Sequence, residues 1–165
     1  MAERPFRTGD IVSLGGFEGE IVSTGMRSMT IRSWDRMEVI VPNSDMFTKP
    51  FVNWTHQDSI VRSVITIKVN RDDDPVRIQE LVLEVLSKLD NVVDKPAPQV
   101  LMIDVDDWLL EMEVRFFLNL QKSKSRALVR SEVSMALVQC FKDNNIIAPY
   151  PKYEVEGIVK DQLLI

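Results

Sequence analysis

The stretch SIVRSVITIKVNRDDDPVRIQELVLEVLSKL, residues 59–89, decides the fold class. Its first half, Ile60 to Val69, is rich in Val and Ile and reads as a β-strand. Asp74-Pro75 then supplies an N-cap and a proline at the first helical position, where a missing N–H is harmless. Ile78, Leu81, Val82, Val85, Leu86 and Leu89 follow at helical spacing on one face, with Arg77, Glu80, Glu84 and Lys88 mostly on the other. An amphipathic helix fed by a strand needs a sheet to lie on, and the rest of this half provides one. Val100 to Val105 is a short strand, and Leu110, Met112, Val114, Phe116 and Leu118 alternate with Glu111, Glu113, Arg115, Phe117 and Asn119 as a half-buried one. Ala127 to Phe141 is a second helix, carrying Val129, Val133, Ala136, Leu137, Cys140 and Phe141 on one side. Beyond Pro149-Tyr150-Pro151, Tyr153 to Val159 makes a last strand. The order β-α-β-β-α-β predicts a ferredoxin-like α/β domain over residues 57–165.

Upstream, the texture changes near Thr55 to Ser59. Five short strands are expected there: Asp10–Leu14, Glu18–Thr24, Met29–Arg32, Met37–Val41 and Phe51–Trp54. Gly15-Gly16 and Gly25 end the first two, and Trp34-Asp35-Arg36 connects the third and fourth. Pro42 ends the fourth, because it has no amide proton to give a central ladder. Short strands this closely spaced predict a small closed or half-closed β-barrel over residues 1–56, since a flat sheet would leave open edges. A unit of about 50 residues buries little surface, so it leans on a neighbour or a partner. The fold class is therefore α+β.

Composition excludes several functions. With 45% hydrophobic and 27% charged residues, the chain is an ordinary globular one. Its net charge of -5, split as -1 over residues 1–56 and -4 beyond, argues against a general grip on nucleic acid and nominates no charged partner. One cysteine, Cys140, and one histidine, His56, rule out a disulfide framework, a cysteine-based cluster and a His/His zinc site within the chain. No apolar run approaches a membrane span, and Met1 to Pro5 have no apolar h-region, so no signal peptide is expected.

The candidate chemistry reads as structure. Asp72-Asp73-Asp74 sits where a helix begins, where carboxylates cap and favour the dipole, and the calcium-loop spacing is absent. Asp104, Asp106 and Asp107 lie in a turn between strands. His56 has no acidic or nucleophilic partner nearby in sequence, and Cys140 lies on the apolar face of its helix as a small buried hydrophobe. Trp34, Trp54 and Trp108 could stack bases, yet two of them stand at strand ends, where aromatics pack. No enzyme, cofactor or metal is expected.

An ordered set of motifs carries a resemblance. Pro5-Phe6-Arg7-Thr8-Gly9-Asp10-Ile11-Val12 is followed by Gly15-Gly16, Glu18-Gly19-Glu20-Ile21, Met26 to Asp35 and Val39-Ile40-Val41-Pro42-Asn43-Ser44. The series closely resembles the bacterial mechanosensitive channels of small conductance, and Ala148-Pro149-Tyr150-Pro151 resembles a proline motif near the end of that family's α/β domain. The likeness extends over nearly the whole chain. Two positions depart: Met29 stands where the family often has threonine, and Arg36 where glycine often follows the aspartate. Arg36 argues against a type I′ turn and leaves the strand register there open.

The resemblance implies the cytoplasmic portion of a channel subunit, beginning just below its pore-lining helix. Residues 1–56 would be its Sm-like β-domain, joining neighbours into a ring on the cytoplasmic side of the bacterial inner membrane. Residues 57–165 would wall a vestibule with side portals, and Gly157 to Ile165 are a candidate strand for an inter-subunit barrel. It further implies a homoheptamer that passes ions and small osmolytes, with tension acting on transmembrane helices this chain lacks. Pro5, Phe6, Gly9, Asp10, Gly19, Arg32, Asp35, Pro42, Asn43, Pro149 and Pro151 carry the motif as structural or interface residues; no catalytic, cofactor-binding or metal residue is implied. Two rivals come from other classes. An RNA-binding Sm-like module would need a basic groove with interleaved aromatics, against the charge of -1 over residues 1–56. A ligand-sensing domain on the ferredoxin-like half is not decided by fold alone.

Overall fold

The structure is a computed structural model describing residues 6–123 and 125–151. The first strands appear close to their expected positions: β1 (Ile11–Leu14), β2 (Phe17–Thr24), β3 (Ser28–Ser33) and β4 (Glu38–Pro42). A short helix, α1 (Asn43–Thr48), follows, and then β5 (Val52–Asn53). The helix is absent from the sequence-based expectation. Pro42 both ends β4 and precedes the helix at its N-cap position, and six residues are too few to show a period. The five strands form one antiparallel sheet in the order β4-β3-β2-β1-β5. β4 and β5 are its two ends and do not pair with each other, so the barrel is half-closed. Phe6, Val12, Ile21, Met29, Ile31, Val41 and Met46 fill its core.

The second sheet holds β6 (Ile60–Asn70), β7 (Gln99–Val105) and β8 (Leu109–Asn119) in the order β6-β8-β7. β8 lies between the two strands joined by the first helix and runs antiparallel to both, which is the split βαβ arrangement. The long β6–β8 ladder runs in register from Ile60↔Asn119 to Asn70↔Leu109. Strand parity then turns Val61, Ile65, Ile67 and Val69 to the same buried face as Leu110, Met112, Val114, Phe116 and Leu118. Helix α2 (Pro75–Ser87) covers that face with Ile78, Val82 and Leu86, its Asp74 side chain capping Val76 N–H. After α3 (Leu120–Ser123), α4 (Arg126–Asp143) adds Val129, Val133 and Leu137. The expected last strand, Tyr153 to Val159, and the candidate barrel strand, Gly157 to Ile165, lie outside the described residues.

Helix α4 is apolar on two opposite faces. Leu128, Met135 and Val138 are exposed on the side away from the sheet. Cys140, expected to be buried, is only half-buried. Its thiol is pushed above the ordinary range, first by burial and then by the charge of Glu84.

Candidate functional site

The residues of the β-domain motif build the turn that enters β1. Arg7 to Asp10 closes through Asp10 N–H donating to Arg7 C=O at 3.0 Å, with Gly9 at φ +93° in the third position. That backbone excludes most side chains, which is the physical reason for glycine there. Asp10, nearly buried, accepts from Arg7 N–H at 2.9 Å and from Asn53 Nδ2 at 2.8 Å, tying the turn to β5. Phe6 is buried against Phe47 of α1 and Phe51 before β5, with ring centroids 6.2 and 6.5 Å away. Gly19 has another role: a Cβ there would lie 2.3 Å from the Arg32 carbonyl oxygen on the neighbouring strand.

Other motif positions are surface features. Arg32 and Glu38 form a cross-strand pair at 2.8 Å, both more than half exposed, so it contributes little. Asp35 is exposed in the β3–β4 connection. There Ser33 N–H donates to Met37 C=O and Arg36 N–H to Ser33 C=O, making a three-residue loop with Arg36 at φ +63°. The turn is indeed not type I′, but arginine still occupies a left-handed position in a turn-plus-bulge loop. The register that was open is regular, Arg32↔Glu38 to Ser28↔Pro42. Asn43 Nδ2 donates to Gly25 and Met26 C=O, clasping the β2–β3 turn to the start of α1. Pro149 and Pro151 stand on the irregular segment after α4. Pro5 lies outside the described residues.

Two places on this frame can act. The first is the open seam of the β-domain. Beside β4 lies a largely apolar groove of 490 Å³, lined by Phe17, Val39, Ile40 and Pro42 together with Asp45 of α1 and Lys49 at its C-cap. Ile40 is 71% exposed, and Phe17, Phe47 and Val52 are also exposed.

The second is the junction between the sheets. β1 serves both: Val12 enters the β-domain core and its neighbour Ile11 enters the core of the second sheet. Trp54 N–H donates to Ile11 C=O, and Ile11 N–H to the buried Thr55 hydroxyl at 2.9 Å. Glu18 on β2 accepts from Trp34 Nε1 at 3.3 Å and pairs with Arg126 at the start of α4 at 2.7 Å. The same guanidinium sits 4.1 Å over the Trp54 ring, a cation–π contact. Sequence reasoning missed this clamp. Its members come from β2, the β3–β4 loop, the residue after β5 and α4, and Glu18 and Arg126 are 108 residues apart.

Three-member clusters of His, Cys, Asp or Glu able to hold a metal do not occur among the described residues, nor does a helix long and apolar enough to cross a membrane. The geometry belongs to a framework that joins things.

Residues 1–56 match the profile of the mechanosensitive ion channel β-domain, and residues 63–148 that of the mechanosensitive ion channel MscS C-terminal region. The chain belongs to the MscS family of mechanosensitive ion channels. It is 31% identical over 155 residues to the miniconductance mechanosensitive channel MscM of Escherichia coli, covering 94% of this chain and 14% of that protein. It is 30% identical over 128 residues to the mechanosensitive channel MscK of the same organism, covering 78% of this chain and 11% of MscK. This MscS-family chain thus spans a small part of those relatives. In fold it is similar to Helicobacter pylori MscS in its closed state, with a TM-score of 0.76 at 18% identity over 92% of this chain and 58% of that one. It is also similar to Arabidopsis thaliana MSL1, with a TM-score of 0.61 at 21% identity over 90% of this chain and 54% of that one. The family is one of channels rather than enzymes.

Proposed function

We propose that this chain forms the wall of a cytoplasmic vestibule beneath a tension-gated pore in the bacterial inner membrane. In this reading residues 1–56 are an Sm-like ring-forming domain, and residues 57–165 line side portals that admit ions and small osmolytes. The carrying observation is the open β-domain sheet, whose end strands β4 and β5 each have an edge that pairs with no other strand among the described residues. Exposed edges invite pairing, and two different edges of one sheet pair head to tail, which generates a closed ring when the rotation per copy closes. The apolar groove beside β4 offers the burial that a domain this small lacks by itself. The unpartnered Leu128–Met135–Val138 stripe gives neighbouring α/β domains a second surface on which to meet. Seven copies is the number the family resemblance implies. Phe6, Gly9 and Asp10 then shape the entrance to β1, Gly19 lets β2 and β3 approach closely, and Arg32, Asp35, Pro42 and Asn43 shape the β4 side of the seam. Pro149 and Pro151 steer the chain out of α4. No nucleic acid takes part.

Light scattering over a dilution series tests this. A seven-subunit mass is expected for the chain, with a shift to monomer in Ile40→Lys, which puts a charge on the exposed edge without touching the core. A wild-type monomer at every concentration, even with the preceding helices restored, overturns the reading.

A further inference from the structure

The net charge of each half hides one local concentration of positive charge. Where β2, β6 and α4 meet, a cleft of 410 Å³ is lined by Arg62, Arg126 and Arg130, with Ser125, Trp34 and, among the described residues, a single carboxylate, Glu18. Glu18 is already committed, to Arg126 at 2.7 Å and to Trp34 Nε1. Arg62 and Arg130 form no ion pair or side-chain hydrogen bond among the described residues, and both are exposed. Two unneutralised guanidinium groups therefore face one cleft in a chain of net charge -5. Planar guanidinium donors match phosphate and carboxylate oxygens in pairs, which a point charge cannot do. The positive end of α4 opens on the same cleft and adds to the field. The exposed Trp34 indole gives one wall an aromatic face.

We propose that this cleft is a binding site for a small oxyanion-bearing solute, one carrying a phosphate or carboxylate group, held by Arg62 and Arg130. Its volume suits a small molecule, and a polyanion would need a longer basic track than the three arginines that line it among the described residues. The site lies within one chain, so it stands or falls separately from ring assembly. A solute bound there touches Glu18 and Trp34 on one side and α4 on the other, so occupancy stiffens the joint between the two sheets.

The test titrates the 165-residue chain with inorganic phosphate and, separately, with succinate, against sodium chloride at matched ionic strength. Tryptophan fluorescence and the melting midpoint are read together. Half-saturation on the order of 1 mM is expected from two exposed charge-assisted contacts. The midpoint should rise by about 3–5 °C at ten times that concentration. Arg62→Gln and Arg130→Gln should each weaken binding about 10-fold. Neither should lower the melting midpoint without anion, since neither side chain has an ion-pair or hydrogen-bond partner among the described residues to lose. A stronger response to phosphate identifies a phosphorylated solute, and a stronger response to succinate identifies a carboxylate. A shift no larger than chloride gives, one that survives in the double variant, or tighter binding of a single-stranded oligonucleotide at these arginines overturns the proposal.

Discussion

Replacing Arg126 by alanine should loosen the joint between the two sheets by an amount the geometry sets. The ion pair with Glu18 is short, 2.7 Å, but its side chains are 35% and 28% exposed. It therefore stands at the upper end of the surface-pair range, at about 1 kcal/mol. The guanidinium 4.1 Å over the Trp54 ring adds about 0.5–1 kcal/mol. Trp54 Nε1 is buried without a hydrogen-bond acceptor, so the stacked cation is the polar partner this indole has among the described residues. Together the loss is about 2 kcal/mol, or a fall of roughly 4–8 °C in melting midpoint for a chain of this size. Urea unfolding of wild type, Glu18→Gln, Arg126→Ala and the double variant isolates the pair. Glutamine keeps an oxygen for Trp34 Nε1, so the cycle reports the charge contact rather than the whole cluster. A coupling energy of about 1 kcal/mol is expected, weakening as salt is raised to 1 M. Arg77→Ala, on the exposed face of α2, is the control and should change little. A coupling below about 0.3 kcal/mol, the ordinary scatter of independent sites, would refute the clamp and leave β1 as the link between the sheets.

Gly19→Ala brings a methyl group 2.3 Å from the Arg32 carbonyl oxygen and 2.7 Å from its carbon. It should force β3 away from β2 at a cost of about 3 kcal/mol, read as a lowered calorimetric transition with the helical circular dichroism of α2 and α4 retained. Arg36→Gly relieves the left-handed backbone at φ +63° and should stabilise by about 0.5–1 kcal/mol, measured as a raised urea midpoint; an unchanged or lowered midpoint counts against the strain. Cys140, its thiol pushed up by burial and by Glu84, should react with iodoacetamide at pH 8 more slowly than a cysteine in a free peptide, and equal rates would show that the α2–α4 groove leaves it open.

The second sheet was largely legible because its signals are local and periodic. Ile78 to Leu89 announces a helix, Leu110 to Leu118 a half-buried strand, and the Asp74-Pro75 cap sits as expected. The strands of the β-domain were legible from their turns, whereas the Gly9–Asp10 motif was carried by the family resemblance and its backbone reason, the left-handed Gly9, came from the structure. What escaped lacks a local code. Helix α1 is too short for a period. The left-handed Arg36 is an exception that only its loop geometry explains. The two apolar faces of α4 overlap in sequence, so the outer Leu128, Met135 and Val138 were not separated from the inner Val129, Val133 and Leu137. The arginine cleft and the Arg126 clamp need three-dimensional closure before their members meet, and summed charge conceals both.

The parity of β1 gives these parts a common consequence. Adjacent residues of a strand point to opposite faces, so Ile11 and Val12 lodge in two different cores. A displacement of β1 along its axis therefore disturbs both cores at once, and close-packed interiors yield to such a shift by rearranging rather than by stretching. The turn from Phe6 to Asp10 is fastened on three sides: by the phenylalanine cluster, by the Asp10–Asn53 bond and by Gly9 N–H to Ile21 C=O at 2.8 Å. In the proposed channel a pull from the pore helix arrives at this turn. It cannot extend the turn without first breaking those fastenings, so it is delivered to β1 and through Ile11 to the second sheet. The Glu18–Arg126–Trp54 clamp lies in parallel with that route, bridging β2, α4 and the residue that follows β5. Cutting the clamp should therefore leave the two sheets connected but able to pivot about β1, whereas shortening Ile11 should weaken the route itself.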